Sequence, residues 1–182
     1  LILLGCSLPG VFLGERLLKP PMSRVLIWPG AVWMGTAWIL VALTGFSEVV
    51  ALLVPASEGF SRWRAAIVVL LAIPITAWAL YEGLRMPRIQ RVRVALDRWP
   101  KALDGFRIVQ ISDLHIGPIR ASGFVAALTR EVNAQEPDLI AVTGDLVDGS
   151  VAGVGPDVLP FKDLAAPQGV YFITGNHDIY SG

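Results

Sequence analysis

The 182-residue sequence predicts an α-helical transmembrane segment followed by an α/β domain. Hydrophobic residues make up 54% of the chain and charged residues only 16%, so it is more apolar than an ordinary soluble domain. Residues 1–84 contain nine of the thirty charged side chains, and residues 85–182 contain the other twenty-one. The second part also contains three apolar, largely β-branched runs, each followed by polar residues, at intervals typical of strand–helix–strand units.

The first part, residues 1–87, is predicted to contain transmembrane helices at about 1–18, 25–46 and 65–84. Val25 to Phe46 is a run of 22 residues without a charge, which is long enough to cross about 30 Å of hydrocarbon. Ala65 to Leu84 is uncharged until Glu82 and contains Pro74, which spanning helices tolerate when the freed carbonyl finds another partner. The sequence does not decide whether residues 49–55 extend the second helix or belong to a loop.

The apolar start of the chain, Leu1 to Gly14, has two interpretations. It is either the end of a spanning helix or, because of Leu3-Leu4-Gly5-Cys6, a lipoprotein processing site. The basic segment that should precede such a processing site is not in this chain, which favours the helix. Cys6 is the only cysteine, and this excludes both a disulfide framework and a cysteine metal site. The chain begins at Leu and stops directly after a motif, so we expect it to be a fragment cut at both ends.

The distribution of basic residues predicts a multi-pass protein of the cell (inner) membrane whose second part is cytoplasmic. The first loop contains three basic residues and the second contains Arg62 and Arg64, whereas six follow the third helix between Arg85 and Lys101. Because successive helices cross the membrane in opposite directions, the first loop and the segment after the third helix lie on the same side, and these two are the richer in basic residues. Loops rich in basic residues are typically cytoplasmic. The six basic residues between Arg85 and Lys101 have two interpretations. Either they set the topology and attract anionic lipid headgroups, or they bind the acidic headgroup of a substrate. A net charge of zero argues against a nucleic-acid-binding protein.

The second part, residues 88–182, is predicted to alternate strands and helices. Strands are expected at 108–112, 139–142 and 170–174, with a helix from Ala121 to Ala134 that Ser122 could cap and a shorter helix within 156–164. Ile89 to Leu96 alternates apolar and polar residues and predicts a further strand. Such a pattern indicates an α/β fold with right-handed crossovers.

Each of the three main strands is followed by side chains that can bind metal or transfer protons. The motifs are Asp113-Leu114-His115, Gly144-Asp145-Leu146-Val147-Asp148 and Gly175-Asn176-His177-Asp178. Open α/β sheets bind their ligands at the carboxyl ends of the strands. Each residue alone has a structural explanation: Asp148 or Asp178 as a helix cap, Asn176 as a turn residue, Asp145 as a solvated loop end. Three such motifs in a row indicate a site.

The residue types suggest how the site would work. Asp113 and His115 are two residues apart, which on an extended chain points both side chains to one face and supplies half of a divalent metal site. Asp145 could reach the same metal and bridge to a second, for which the amide oxygen of Asn176 is a suitable ligand. His177 could protonate a leaving oxygen, and Asp148 could hold its ring in the required tautomer.

At these motifs the chain resembles the calcineurin-like metallophosphoesterases. The leader Ile111-Ser112-Asp113-Leu114-His115-Ile116-Gly117, after a membrane segment, is similar to the membrane-anchored bacterial type. The resemblance covers about residues 88–182, the N-terminal part of such a domain, truncated at its C-terminus. It implies a partial four-layer α/β/β/α metallophosphoesterase sandwich, with two divalent metal ions (manganese, iron or zinc). The implied reaction is hydrolysis of a phosphoester or pyrophosphate by a two-metal-activated hydroxide.

The resemblance also implies a role for each candidate residue. Asp113 and His115 would hold the first metal, Asp145 would bridge the two, Asn176 would hold the second, and His177, oriented by Asp148, would be catalytic. Members of the family take further His ligands from later motifs, including a Gly-His-x-His segment. We therefore expect the activity to belong to a full-length parent and the truncated chain to be inactive.

Three functional hypotheses follow. The first is a membrane-anchored phosphoesterase whose partners are the lipid bilayer and a phosphorylated substrate, lipid-linked or soluble, with no nucleic acid. The second is a non-catalytic membrane sensor or scaffold with a degenerate phosphoesterase fold. The third is a transporter or channel fragment, which would place ionisable residues inside the helices, where only Glu48 and Glu82 come near.

Overall fold

The structure is a computed structural model that describes residues 22–54 and 57–181. The helix predicted at 1–18 lies outside the described residues. The described chain divides into two compact units, and it passes from the first to the second between Arg85 and Met86. An α-helical segment followed by an α/β domain is therefore confirmed as the fold class.

The first unit contains two long helices, α1 (Met22–Ala51) and α2 (Glu58–Leu84). Both helices begin before the predicted spans, and α1 includes residues 49–51 of the segment 49–55 that the sequence left undecided. Ser57 caps α2, since its hydroxyl accepts a hydrogen bond from the backbone N–H of Phe60 at 3.1 Å. By length and composition, residues 27–51 and 58–84 can each cross a membrane.

An ion pair joins the two helices of this unit. The guanidinium of Arg64 donates to both carboxylate oxygens of Glu48, at 2.7 and 3.1 Å. It also donates to the carbonyl of Ser47 at 3.1 Å. A bidentate Arg–carboxylate pair fixes orientation as well as distance. Glu48 is therefore a partner for Arg64 and not an isolated ionisable group inside a helix.

The second unit is built on a three-stranded parallel sheet in the order β1-β2-β3. The strands are β1 (Ile108–Ile111), β2 (Leu139–Thr143) and β3 (Val170–Ile173). The connections contain α3 (Ser122–Asn133), α4 (Val151–Val158) and a 3₁₀ turn at Leu159–Asp163, and the short helix α5 (Asn176–Ser181) follows β3. The predicted strands and main helix agree with these bounds to within one residue.

The core of this unit lies between the sheet and α3. Ile140 and Val142 of the central strand are buried, and they belong to one apolar cluster with Val125, Leu128 and Val132 of the helix. These helical residues recur at three- and four-residue intervals, which places them on one face of the helix. The packing holds the strands in register, so that their carboxyl ends emerge together.

Three details of the second unit differ from the sequence-based expectations. The shorter helix expected within 156–164 begins earlier, at Val151, and ends at Val158, after which only a 3₁₀ turn follows. Ser122 is the first residue of α3 and not its cap; instead, the buried carboxylate of Asp157 in α4 accepts a hydrogen bond from the Ser122 N–H at 3.0 Å. The prediction of a strand over Ile89 to Leu96 is also wrong. A strand needs a neighbour with which to exchange backbone hydrogen bonds, and within the described residues this segment has none.

Candidate metal centre

The loops that follow β1 and β2 run side by side beyond the ends of the strands. The N–H of Asp113 donates to the carbonyl of Gly144 at 3.2 Å, and the N–H of His115 donates to the carbonyl of Asp145 at 3.1 Å. Ile116 then forms a parallel bridge with Val147. The backbone therefore fixes the first two motifs against each other before any side chain is considered.

Three residues of these loops have left-handed backbone conformations. The φ angles are 55° at Asp113, 48° at His115 and 51° at Asp145. Such angles are uncommon for residues with a Cβ, and they persist only where the surrounding structure holds them. The extended geometry assumed from the sequence for Asp113 and His115 is therefore wrong, although the two side chains do come together.

The side chains of these three residues gather into one group. A ligand atom from each of Asp113, His115 and Asp145 lies within 4.8 Å of the other two. Asp113 is exposed, and the other two are half-buried. Two carboxylates and an imidazole are ligands that divalent transition metals accept. The donor set therefore fits a divalent ion at the carboxyl ends of β1 and β2.

A second group forms around the carboxylate of Asp148. Its Oδ1 lies 2.5 Å from Nδ1 of His177, and its Oδ2 lies 3.1 Å from Nδ1 of His115. The two imidazole rings meet edge to face, with centroids 4.6 Å apart. An ionised carboxylate only accepts hydrogen bonds, so each ring donates through Nδ1 and leaves Nε2 for another partner. Ligand atoms of these three residues also lie within 4.8 Å of one another.

The third motif begins the short helix α5. Asn176 is the first residue of α5, and its side chain is exposed. The backbone N–H of the next residue, His177, donates to Oδ1 of Asp145 at 3.0 Å. Asn176 is thereby held beside the bridging candidate through its neighbour in the chain.

Glycines allow the second and third motifs to approach this closely. A Cβ on Gly175 would lie 2.1 Å from Oδ1 of Asp145, and a Cβ on Gly144 would lie 2.6 Å from the nitrogen of Gly175. Gly144 also has a φ of 93°, which a side chain would disfavour. The Gly residues that open both motifs are therefore needed for the contact between the two loops.

Asp178 and Ser112 are the residues near the site to which sequence reasoning gave no functional role. The Asp178 carboxylate accepts backbone hydrogen bonds from Gly175 at 2.8 Å, Leu146 at 2.9 Å and Val147 at 3.1 Å. The hydroxyl of Ser112 donates to the carboxylate of Asp113. The only signal in the sequence was their position, since Asp178 ends the third motif and Ser112 directly precedes the first.

The comparisons with known proteins agree with this geometry. The profile of the calcineurin-like phosphoesterase family matches residues 106–182, which include all three motifs. Over these residues the chain is similar to the calcineurin-like phosphoesterases. The small parallel sheet with its helices is consistent with part of a metallophosphoesterase α/β fold. No solved structure matches the chain significantly.

Several metallophosphoesterases are similar to this chain. A Helicobacter pylori metallophosphoesterase is 36% identical over 56% of the chain and 27% of its own length. A bovine transmembrane protein with a metallophosphoesterase domain is 31% identical over 65% of the chain and 27% of its own length. The UDP-2,3-diacylglucosamine pyrophosphatase LpxG of Chlamydia trachomatis is 32% identical over 63% of the chain and 36% of its own length. The chain thus spans about a quarter to a third of these relatives.

Proposed function

We propose that residues 88–182 form the N-terminal part of a membrane-anchored, metal-dependent phosphoesterase that hydrolyses a phosphoester or a pyrophosphate. The observation that carries the proposal is the meeting of Asp113, His115 and Asp145 at the ends of two adjacent strands. The similarity of residues 106–182 to the calcineurin-like phosphoesterases supports a phosphoester hydrolase in general. The specific reaction and the use of two metals are our inference.

Four residues would hold two divalent ions, with manganese, iron and zinc as the candidates. Asp113 and His115 would bind one ion, Asp145 would lie between the two, and Asn176 would bind the other. Such ions supply positive charge against phosphoryl oxygens and acidify a water molecule when they are bound. The hydrogen bond from the His177 N–H to Oδ1 of Asp145 supports this arrangement, because it orients the shared carboxylate.

His177, assisted by Asp148, would donate a proton to the leaving group. Because Nδ1 of His177 donates to Asp148, Nε2 is the atom that can face the substrate. The protonated ring would donate from Nε2 to the leaving oxygen, and the ionised carboxylate would stabilise its positive charge. Asp148 would also orient His115, whose Nε2 is then available to a metal ion.

The membrane location supports a substrate found at the bilayer surface. The two apolar helices and the transmembrane relatives indicate membrane association. We propose that the chain crosses the cell (inner) membrane more than once and that the phosphoesterase part is cytoplasmic, as the basic residues predict. The name of the chlamydial relative makes a lipid-linked nucleotide diphosphate a reasonable substrate to test.

The activity test uses the whole protein to which the chain belongs, assayed with Mn²⁺ on p-nitrophenyl phosphate, bis(p-nitrophenyl) phosphate and UDP-2,3-diacylglucosamine. Asp145→Asn removes a negative charge but keeps the oxygen that accepts from His177. We expect turnover to fall by more than about 100-fold, since the loss of an outer partner alone costs about 10- to 100-fold. Asp104→Asn, at an exposed turn, is the matched control. A folded protein that neither binds metal nor turns over any of these substrates would support the scaffold hypothesis instead.

The orientation test labels single cysteines in intact cells. In a Cys6→Ser background, Asp104→Cys lies after α2 and Ser57→Cys lies before it, so the two positions should be on opposite sides. We expect an impermeant maleimide to label position 57 and not position 104 until the membrane is opened. Labelling of position 104 in intact cells would contradict the cytoplasmic placement.

A further inference from the structure

Asp178 has more backbone partners than a helix cap requires. It is the third residue of α5, and its Oδ2 accepts from the N–H of Gly175, just before the helix, at 2.8 Å. That bond is the usual one between an acidic third residue and the start of a helix. Its Oδ1, in contrast, accepts from Leu146 and Val147, which belong to the loop after β2. Helix capping therefore explains the hydrogen bond to Oδ2 of Asp178 but not the two hydrogen bonds to its Oδ1.

The other oxygen joins the two loops that carry candidate ligands. The loop after β2 contains Asp145, and the start of α5 contains Asn176. A second hydrogen bond runs in the opposite direction, because Oδ1 of Asp145 accepts from the N–H of His177 in α5 at 3.0 Å. Each loop thus contributes one carboxylate that binds backbone N–H groups of the other. Bonds of this kind, with a charged acceptor, are about twice as strong as neutral ones.

The backbone geometry makes these bonds necessary. Asp145 has a φ of 51°, and Gly144 and Gly175 are so close that neither can carry a Cβ without displacing its neighbour. A left-handed conformation in a loop is maintained only by the contacts around it. Without the Asp178 carboxylate, the N–H groups of Leu146 and Val147 would lose their acceptor, and the loop after β2 would lose one of its two carboxylate contacts with the start of α5.

We propose that Asp178 is a positioning residue for the metal centre, which holds Asp145 and Asn176 in the geometry that a pair of divalent ions requires. The inference rests on the proposed function, since it concerns the same site. Asp178 itself would touch neither metal nor substrate. Its effect would pass through the backbone of residues 145–147 and 175–177.

The test combines hydrogen exchange with Mn²⁺ affinity, both measured in detergent, below the unfolding temperature, on the whole protein to which the chain belongs. Asp178→Asn has the same shape but only one acceptor oxygen, so it cannot serve Gly175 on one side and Leu146 and Val147 on the other. We expect those three amides to exchange at least about 10-fold faster and Mn²⁺ affinity to fall by about 10- to 100-fold. The amides of Ile140 and Val142 in β2 should keep their exchange rates.

Two further variants make the result specific. Asp178→Glu keeps both carboxylate oxygens and should recover part of the Mn²⁺ affinity, whereas Asp163→Asn removes an exposed carboxylate from the turn before β3 and should change neither readout. Faster exchange at the three amides with unchanged Mn²⁺ affinity would overturn the positioning role, and so would unchanged exchange. If the unmodified whole protein binds no Mn²⁺, the proposed function fails and this inference fails with it.

Discussion

Oδ1 of Asp148 lies 2.5 Å from Nδ1 of His177. The other oxygen of the same carboxylate lies 3.1 Å from Nδ1 of His115, so one side chain orients both histidines of the chain. His115 is a candidate metal ligand and His177 a candidate proton donor. Asp148 therefore connects the candidate metal centre to the proposed proton transfer, and a change at this residue should affect both.

Asp148→Asn should lower turnover of the whole protein by about 10²- to 10⁴-fold, the range for loss of general acid catalysis. The amide cannot accept from both rings at once, and it cannot stabilise a protonated imidazole as a carboxylate does. Because Asp148 acts through His177, the double variant with His177→Ala should be little worse than the more impaired single variant. Effects that multiply in the double variant would show that the two residues act independently.

Gly175→Ala should weaken Mn²⁺ binding and lower the thermal stability of the second unit. Its Cβ would lie 2.1 Å from Oδ1 and 2.5 Å from the backbone nitrogen of Asp145, so the loop after β2 must move. Gly123→Ala is the matched control, since a Cβ there meets nothing within 4 Å and Ala suits a helix better than Gly by about 0.5–1 kcal/mol. Calorimetric titration with Mn²⁺ and a thermal melt in detergent check both changes. Equal behaviour of the two variants would contradict the close approach of the loops.

Asp157→Ala should destabilise the second unit by about 1.5–3 kcal/mol, because it removes a hydrogen bond from the backbone N–H at the start of α3 to a charged group. The carboxylate of Asp157 is 5% exposed and accepts from the Ser122 N–H at 3.0 Å. Ser122→Ala should change stability by less than about 0.5 kcal/mol, since the Ser122 side chain is exposed and does not cap the helix. Thermal melts of both variants measure these changes in stability. A larger loss of stability for Ser122→Ala than for Asp157→Ala would support the capping role that the sequence predicted for Ser122.

Mn²⁺ should raise the thermal midpoint of the chain, and a chelator should reverse the rise. A ligand that binds only the folded state at 100 times its Kd adds about 2.7 kcal/mol to the free energy of unfolding. Asp113→Asn removes one of the three grouped ligands and should abolish most of this shift, while Asp104→Asn should retain it. A shift of equal size in both variants would mean that Mn²⁺ binds elsewhere.

The sequence was sufficient to predict the strands and the main helix, and the candidate site residues that it nominated lie close together in the structure. Apolar runs are read directly from the chain, and parallel strands must present their carboxyl ends at one edge of the sheet. The three motifs therefore had to meet, and they do. The segment from Ile89 to Leu96 shows the limit of the same reasoning. Its alternation is that of a strand, but strand formation depends on a partner elsewhere in the chain, which no local pattern reveals.

The sequence by itself determined which chemical groups this protein brings to its site and on which strand each one arrives, because those depend on residue type and local periodicity. Only the tertiary structure decided how the groups are held. Asp148 is shared by two histidines, and Asp178 accepts from the N–H groups of Leu146 and Val147; these contacts join residues about 30 positions apart. The left-handed backbone at Asp145 depends on contacts of the same kind. Contacts at that separation are set by the packing of the strands, and a pattern within one segment does not contain them.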